Sequence, residues 1–141
     1  MIEEILGKKF SVSIAYISDQ KMREINHRYR KIDKTTDILS FSLDKNLGEI
    51  LISKKEAEKK ARLFGMKNKD YLDYILIHGL LHLKGFEHGS IMERHEKRLC
   101  KLFGIRLPYF LDELNEQKNN SRARHRDIPS QSNSGRRSRR K

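Results

Sequence analysis

Three of the chain's six histidines fall in the run His78-Gly79-Leu80-Leu81-His82-Leu83-Lys84-Gly85-Phe86-Glu87-His88, and this run constrains the fold more than any other. Four residues of α-helix advance about 6 Å and slightly more than one turn, so a helix places His78 and His82 on one face. Gly85 tolerates the left-handed conformation that ends a helix and turns the chain back, which carries His88 toward the same point. The chain must therefore build a helix through 82, stop it at 85 and return by 88. A lone histidine on an apolar helix is more often a hydrogen-bonded core residue than a ligand. Three at this spacing across a glycine stop form a tripod suited to one metal ion.

The remaining elements are read around that tripod. Residues 9–17 (KFSVSIAYI) alternate Phe10, Val12, Ile14 and Tyr16 against Ser11, Ser13 and Ala15, the period of a half-buried strand. Ser18 and Asp19 offer N-cap oxygens to a helix reaching Arg30, with Met22, Ile25 and Tyr29 on its apolar face and cations opposite. The runs 37–43 (DILSFSL) and 48–53 (GEILIS) predict two strands that pair with each other. Ser53 caps a helix stopped by Gly65, Asn68 caps the histidine-bearing helix, and Ser90 with Glu93 has the form of a capping box opening a last helix that ends before Gly104. Strands come early and helices late, which predicts an α+β fold: one small mixed sheet packed with helices.

The chain has 141 residues and a formal net charge of +12, of which residues 1–114 contribute +5 and residues 115–141 contribute +7. A body of that size builds one hydrophobic core without covalent staples. The expected organisation is one domain over residues 1–114 and a disordered basic tail over 115–141, where almost nothing is apolar. The single cysteine, Cys100, excludes an internal disulfide. The N-terminal residues lack a cationic stretch followed by a long apolar one, and the most apolar segment, 71–83, is interrupted by Asp73, His78 and His82. These features predict a cytoplasmic protein with no membrane contact, and the basic excess favours a polyanionic partner.

Three neutral imidazoles with a fourth position open are what a catalytic zinc ion takes, whereas structural zinc more often has four ligands rich in cysteine. The run matches the metzincin protease motif H-E-x-x-H-x-x-G-x-x-H at every position but the second, where Gly79 replaces the glutamate that removes a proton from the attacking water. Peptide hydrolysis is thereby disfavoured. Phosphodiester cleavage remains, because a zinc ion can polarise a phosphoryl oxygen while a cationic side chain neutralises developing charge.

Three blocks together resemble the YbeY family of bacterial rRNA maturation endoribonucleases. Asn26, Tyr29, Arg30 and Asp33 with Thr36-Asp37-Ile38-Leu39-Ser40-Phe41 resemble that family's N-x-x-Y-R-x-x-D-x-x-T-D-V-L-S-F stretch; Gly48-Glu49-Ile50 with Ile52-Ser53 resembles its G-D-I-x-I-S strand; and 78–88 resembles its H-G-x-L-H-L-x-G-x-D-H motif. The resemblance implies a zincin-like fold, one zinc ion on His78, His82 and His88, and cleavage of single-stranded RNA. It also implies a role in 16S rRNA 3′-end maturation and ribosome quality control, with rRNA precursors and the small ribosomal subunit as partners and no DNA. The family's functional arginine falls on Arg30, which on the residues alone is one solvated cation among Lys21, Arg23, Arg28, Lys31 and Lys34. A non-catalytic zinc-containing ribosome-assembly factor is the alternative function.

The chain departs from that pattern in places. Glu49 and Glu87 replace aspartates, Ser42 stands where a proline usually follows, the loops after Phe41 and His88 are short, and only eight residues precede the first strand, where the family usually has a further strand and helix. One sheet edge is therefore expected to be missing or exposed. Cys100 reads as a small core residue, and His27, His95 and His125 as ordinary exposed groups. Asp37, Glu49, Asp73 and Glu87 are candidates to orient an imidazole.

Overall fold

In the computed structural model, residues 1–107 are described. Their elements run α1 (Ile2–Leu6), β1 (Ser11–Tyr16), α2 (Asp19–Arg30), β2 (Ile38–Asp44), β3 (Leu47–Ile52), α3 (Lys54–Leu63), α4 (Asn68–Lys84) and α5 (Ser90–Leu102). The three strands form one mixed sheet in the order β1-β3-β2, with β1 parallel and β2 antiparallel to β3. This is the expected α+β architecture, with β2 and β3 paired. The tail, 115–141, lies outside the described residues.

The central strand explains how the layers stack. Ile50, Leu51 and Ile52 are all buried, which a strand achieves only when both its faces are covered. Ile50 and Ile52 join α3, α4 and α5 in the main core, while Leu51 meets Met22 of α2 and Leu39 on the other face. Helix α4 is enclosed by these neighbours, so Ile77, Leu80, Leu81 and Leu83 are all buried although they point in different directions around it. The expected caps Ser18 and Ser53 accept hydrogen bonds from Lys21 N–H (3.1 Å) and Glu56 N–H (3.2 Å).

Two other expected caps are corrected. Asn68 does not cap α4; it is already helical, and Lys67 takes the cap position without a side-chain bond. The next turn carries Tyr71, which is buried and donates its hydroxyl to Asp37 at 2.7 Å, and this anchor fits a helix that begins one residue earlier than the cap preference suggests. At α5 the Ser90–Glu93 capping box does not form: Gly89 is the cap residue, Ser90 is helical, and Glu93 lies on the buried face. A glutamate turned into the core is not placed to reach back to the cap N–H.

Residues 2–6, for which the sequence offered no element, form the short helix α1 and bury Ile5 in the main core. Among the described residues no strand pairs with the outer edge of β1, and Ile14 and Tyr16 are exposed there.

Candidate metal centre

The tripod arises from one helix and its exit. His78 and His82 stand a turn apart on α4, which ends at Gly85 with φ 110°, a left-handed conformation that a side chain would strain. The turn is closed by Phe86 N–H donating to Leu81 C=O at 3.0 Å, and His88 follows three residues after the glycine. The Nε2 atoms of His78, His82 and His88 lie 3.1, 3.1 and 3.2 Å from one another.

What holds each ring decides what those nitrogens can do. The Nδ1 of His78 is bonded to the carboxylate of Glu96, which reaches in from α5, and the Nδ1 of His82 donates to the carbonyl of Phe86 at 3.0 Å. Carboxylate and carbonyl oxygens only accept, so each ring donates from Nδ1, and in the neutral form its lone pair lies on Nε2, facing that of the other ring. Lone pairs 3.1 Å apart repel unless a cation lies between them. Zinc–nitrogen bonds of about 2.0–2.1 Å at tetrahedral angles hold donor nitrogens about 3.3 Å apart, so the triangle fits such an ion. His78, His82 and His88 are the cluster among the described residues able to hold a metal.

Gly79 has a structural cause. A Cβ there would lie 2.8 Å from Ser40 Oγ and 2.9 Å from Ile38 Cδ1, and Ser40 donates to the Gly79 carbonyl at 3.3 Å. Helix α4 thus rests on β2 at the position where the protease motif has its glutamate, and the fold leaves no room for one.

Beside the triad is a cavity of about 270 Å³ whose walls include Arg30, Asp37, Lys60, Tyr71 and Tyr74. Arg30 is half-buried, and loss of hydration lowers its pKa without making it neutral at any working pH. Among the described residues it has no ion-pair partner, unlike Arg23, which binds Asp33 at 2.9 Å, or Lys21, 3.8 Å from Glu24. Burial and the adjacent Asp37 carboxylate push the Tyr71 hydroxyl pKa up, and burial does the same for Tyr74, so both stay donors.

The residues considered for orienting imidazoles scatter. Asp37 is buried in the cavity wall but is engaged by Tyr71 and Lys60. Glu49 has the strand parity of Leu51 and so lies on the α2 face, across the sheet from the triad. Asp73 accepts from Lys69 at 2.8 Å, and Glu87 sits in the exit turn beside His88. Glu96, which contacts His78, was not among them. Its signal was present: Met92, Glu96, Leu99 and Cys100 recur at helical spacing, which puts the Glu96 carboxylate, like that of Glu93, on a buried face. Cys100 is buried core, as expected. His27 is exposed, whereas His95 is half-buried with its ring 4.6 Å from that of Phe86; an aromatic neighbour across the α4–α5 turn covers it. His125 lies outside the described residues.

Comparison with known proteins adds a family to this geometry. Residues 1–103 match the family model described as Endoribonuclease YbeY. The chain belongs to the YbeY endoribonuclease family. Members of that family are hydrolases that cleave RNA internally. An Endoribonuclease YbeY of Campylobacter jejuni is 36% identical over 112 residues, covering 74% of this chain and 83% of its own. One from Finegoldia magna is 31% identical over 117 residues, covering 74% of this chain and 76% of its own. The solution structure of a Thermotoga maritima protein has a TM-score of 0.54 at 26% identity, covering 82% of this chain and 79% of that one.

Proposed function

We propose that this chain is a single-strand-specific endoribonuclease that carries one zinc ion on His78, His82 and His88 and acts in the cytoplasm on rRNA precursors. The proposal extends to 16S rRNA 3′-end maturation and ribosome quality control, with the small ribosomal subunit as partner. The observation that carries it is the convergence, in one cavity, of three imidazole nitrogens and a guanidinium that has no carboxylate partner among the described residues. No helix among the described residues is long and apolar enough to cross a membrane.

A zinc ion on the three imidazoles would supply Lewis-acid polarisation of a phosphoryl oxygen. The chain's own groups do the rest. Glu96 and the Phe86 carbonyl take the Nδ1 protons of His78 and His82, which leaves Nε2 as the ligating atom of each neutral ring. Arg30, partly desolvated and without an ion-pair partner among the described residues, presents a planar fork that fits two phosphate oxygens and counters charge as it develops there. Gly79 offers no carboxylate to take a proton from water, which supports phosphodiester over peptide cleavage.

The test is cleavage of single-stranded RNA by purified protein, before and after chelation, with zinc content measured by mass spectrometry. Chelator-sensitive cleavage, lost together with zinc in His78→Ala and His82→Ala, is expected. Stoichiometric zinc without any cleavage would leave a non-catalytic assembly factor, and stoichiometric zinc in both variants would overturn the ligand assignment.

A further inference from the structure

The cavity beside the triad has a second cationic wall that the reading above does not use. Lys60, on α3, lines the same space as Arg30 and the three histidines. Its ammonium stands 3.5 Å from Asp37 Oδ1, close enough to feel that charge, yet makes no hydrogen bond among the described residues. Of the other lysines on α3, Lys59 is 3.2 Å from Glu56 and Lys55 is 3.9 Å from Asp19, and both are more exposed than Lys60. Asp37 itself is already served by the Tyr71 hydroxyl at 2.7 Å, so it does not depend on Lys60 for a hydrogen bond. The ammonium has three N–H donors, and the one fixed carboxylate oxygen at 3.5 Å holds it at the cavity wall while leaving donors for a further ligand.

We infer that Lys60 binds the RNA phosphate that flanks the scissile one. This rests on the endoribonuclease reading and adds a subsite to it. The chemistry favours a phosphodiester chain over a single anion, because Arg30 and Lys60 are separate cations in one cavity and successive phosphates of a nucleic-acid strand are separate monoanions. A compact ammonium also suits a phosphate that needs holding rather than transition-state recognition, the task for which the guanidinium fork of Arg30 is better shaped. Lys60 is thus a positioning residue. It fixes the register of the strand so that the scissile group, and not its neighbour, meets Arg30 and the triad.

The experiment pairs the residue with the phosphate. Zinc-loaded full-length protein is titrated with three deoxydinucleotides of one sequence: unphosphorylated, 5′-phosphorylated and 3′-phosphorylated. In the wild type one of the two terminal phosphates is expected to tighten binding several-fold, and the gain should shrink as salt rises, as for any phosphate contact. In Lys60→Met that gain should vanish while affinity for the unphosphorylated compound stays within about twofold, and Lys60→Arg should retain most of it. Because each gain is a ratio measured within one variant, a loss of folding stability in Lys60→Met does not imitate the effect. A terminal-phosphate gain that survives in Lys60→Met, or no gain from either phosphate in the wild type, would overturn the subsite. The endoribonuclease reading fails separately, if the wild type does not cleave RNA at all.

Discussion

Replacing Gly79 by alanine sets two physical effects against each other, and the structure decides the sign. In a helix interior alanine is worth about 1 kcal/mol over glycine, so propensity alone predicts a more stable protein. The added Cβ would lie 2.8 Å from Ser40 Oγ, 2.9 Å from Ile38 Cδ1 and 3.3 Å from Ile50 Cδ1. Ile38 can swing its terminal methyl away, but Ser40 is buried and bonded to the Gly79 carbonyl, and Ile50 is fully buried in the main core. Overpacking of a close-packed interface costs about 1–3 kcal/mol, and one contact under 3.0 Å, to Ser40, with a further tight one to Ile50, both with little freedom to move, put this site in the upper half of that range. The net is a destabilisation of about 1–2 kcal/mol after the propensity gain. For a domain near this size each kcal/mol shifts Tm by about 4–8 °C, so a fall of roughly 5–15 °C is expected. Thermal unfolding should be followed by circular dichroism at saturating zinc, since metal binding to the folded state raises Tm on its own account. An unchanged or raised Tm would refute the packing argument. Gly79→Glu, which recreates the protease motif, should be destabilised further and gain no peptidase activity, because its carboxylate would be driven toward β2 instead of standing over the triad.

Other consequences can be checked directly. Glu96→Ala should weaken zinc binding about 10–100-fold, since the residue that orients a metal-bound histidine contributes on that scale; competition with a chelator measures it, and an affinity within twofold of wild type would contradict the role. Arg30→Ala should keep stoichiometric zinc but lower kcat by about 10²-fold, the scale seen when one transition-state charge partner is removed; unchanged turnover at saturating RNA would reduce Arg30 to a surface cation. Truncation after Gln117 removes nine basic side chains, Lys118 to Lys141. At about −0.7 per phosphate neutralised on single strands, the slope of log affinity against log salt should flatten by a few units while cleavage of bound RNA is unaffected. Identical slopes would mean that the tail is idle.

Much of this protein is local in origin, and local features are readable along a chain. The alternation in β1, the paired strands, Ser18 and Ser53 as caps, and the glycine stop after a helix bearing His78 and His82 all depend on neighbours a few residues apart, so the pattern itself states the structure. The sequence by itself therefore determined an α+β domain whose one chemically distinctive feature is a three-histidine tripod. It could not decide contacts made between elements. Asn68 and Ser90 have good capping side chains, yet the helices they were to cap begin elsewhere, and the burial of Tyr71 and Glu93 fits those starts. Glu49 and Glu96 are both acidic residues within their elements, and only strand parity and the packing of α5 on α4 put one across the sheet from the triad and the other against His78. Gly79 looked like a lost catalytic base until β2 was seen to occupy the space its side chain would need. Tertiary structure alone brought Arg30, Lys60 and Asp37 to one cavity, because they come from α2, α3 and the loop before β2, separated along the chain, and no short-range pattern encodes the distance between them.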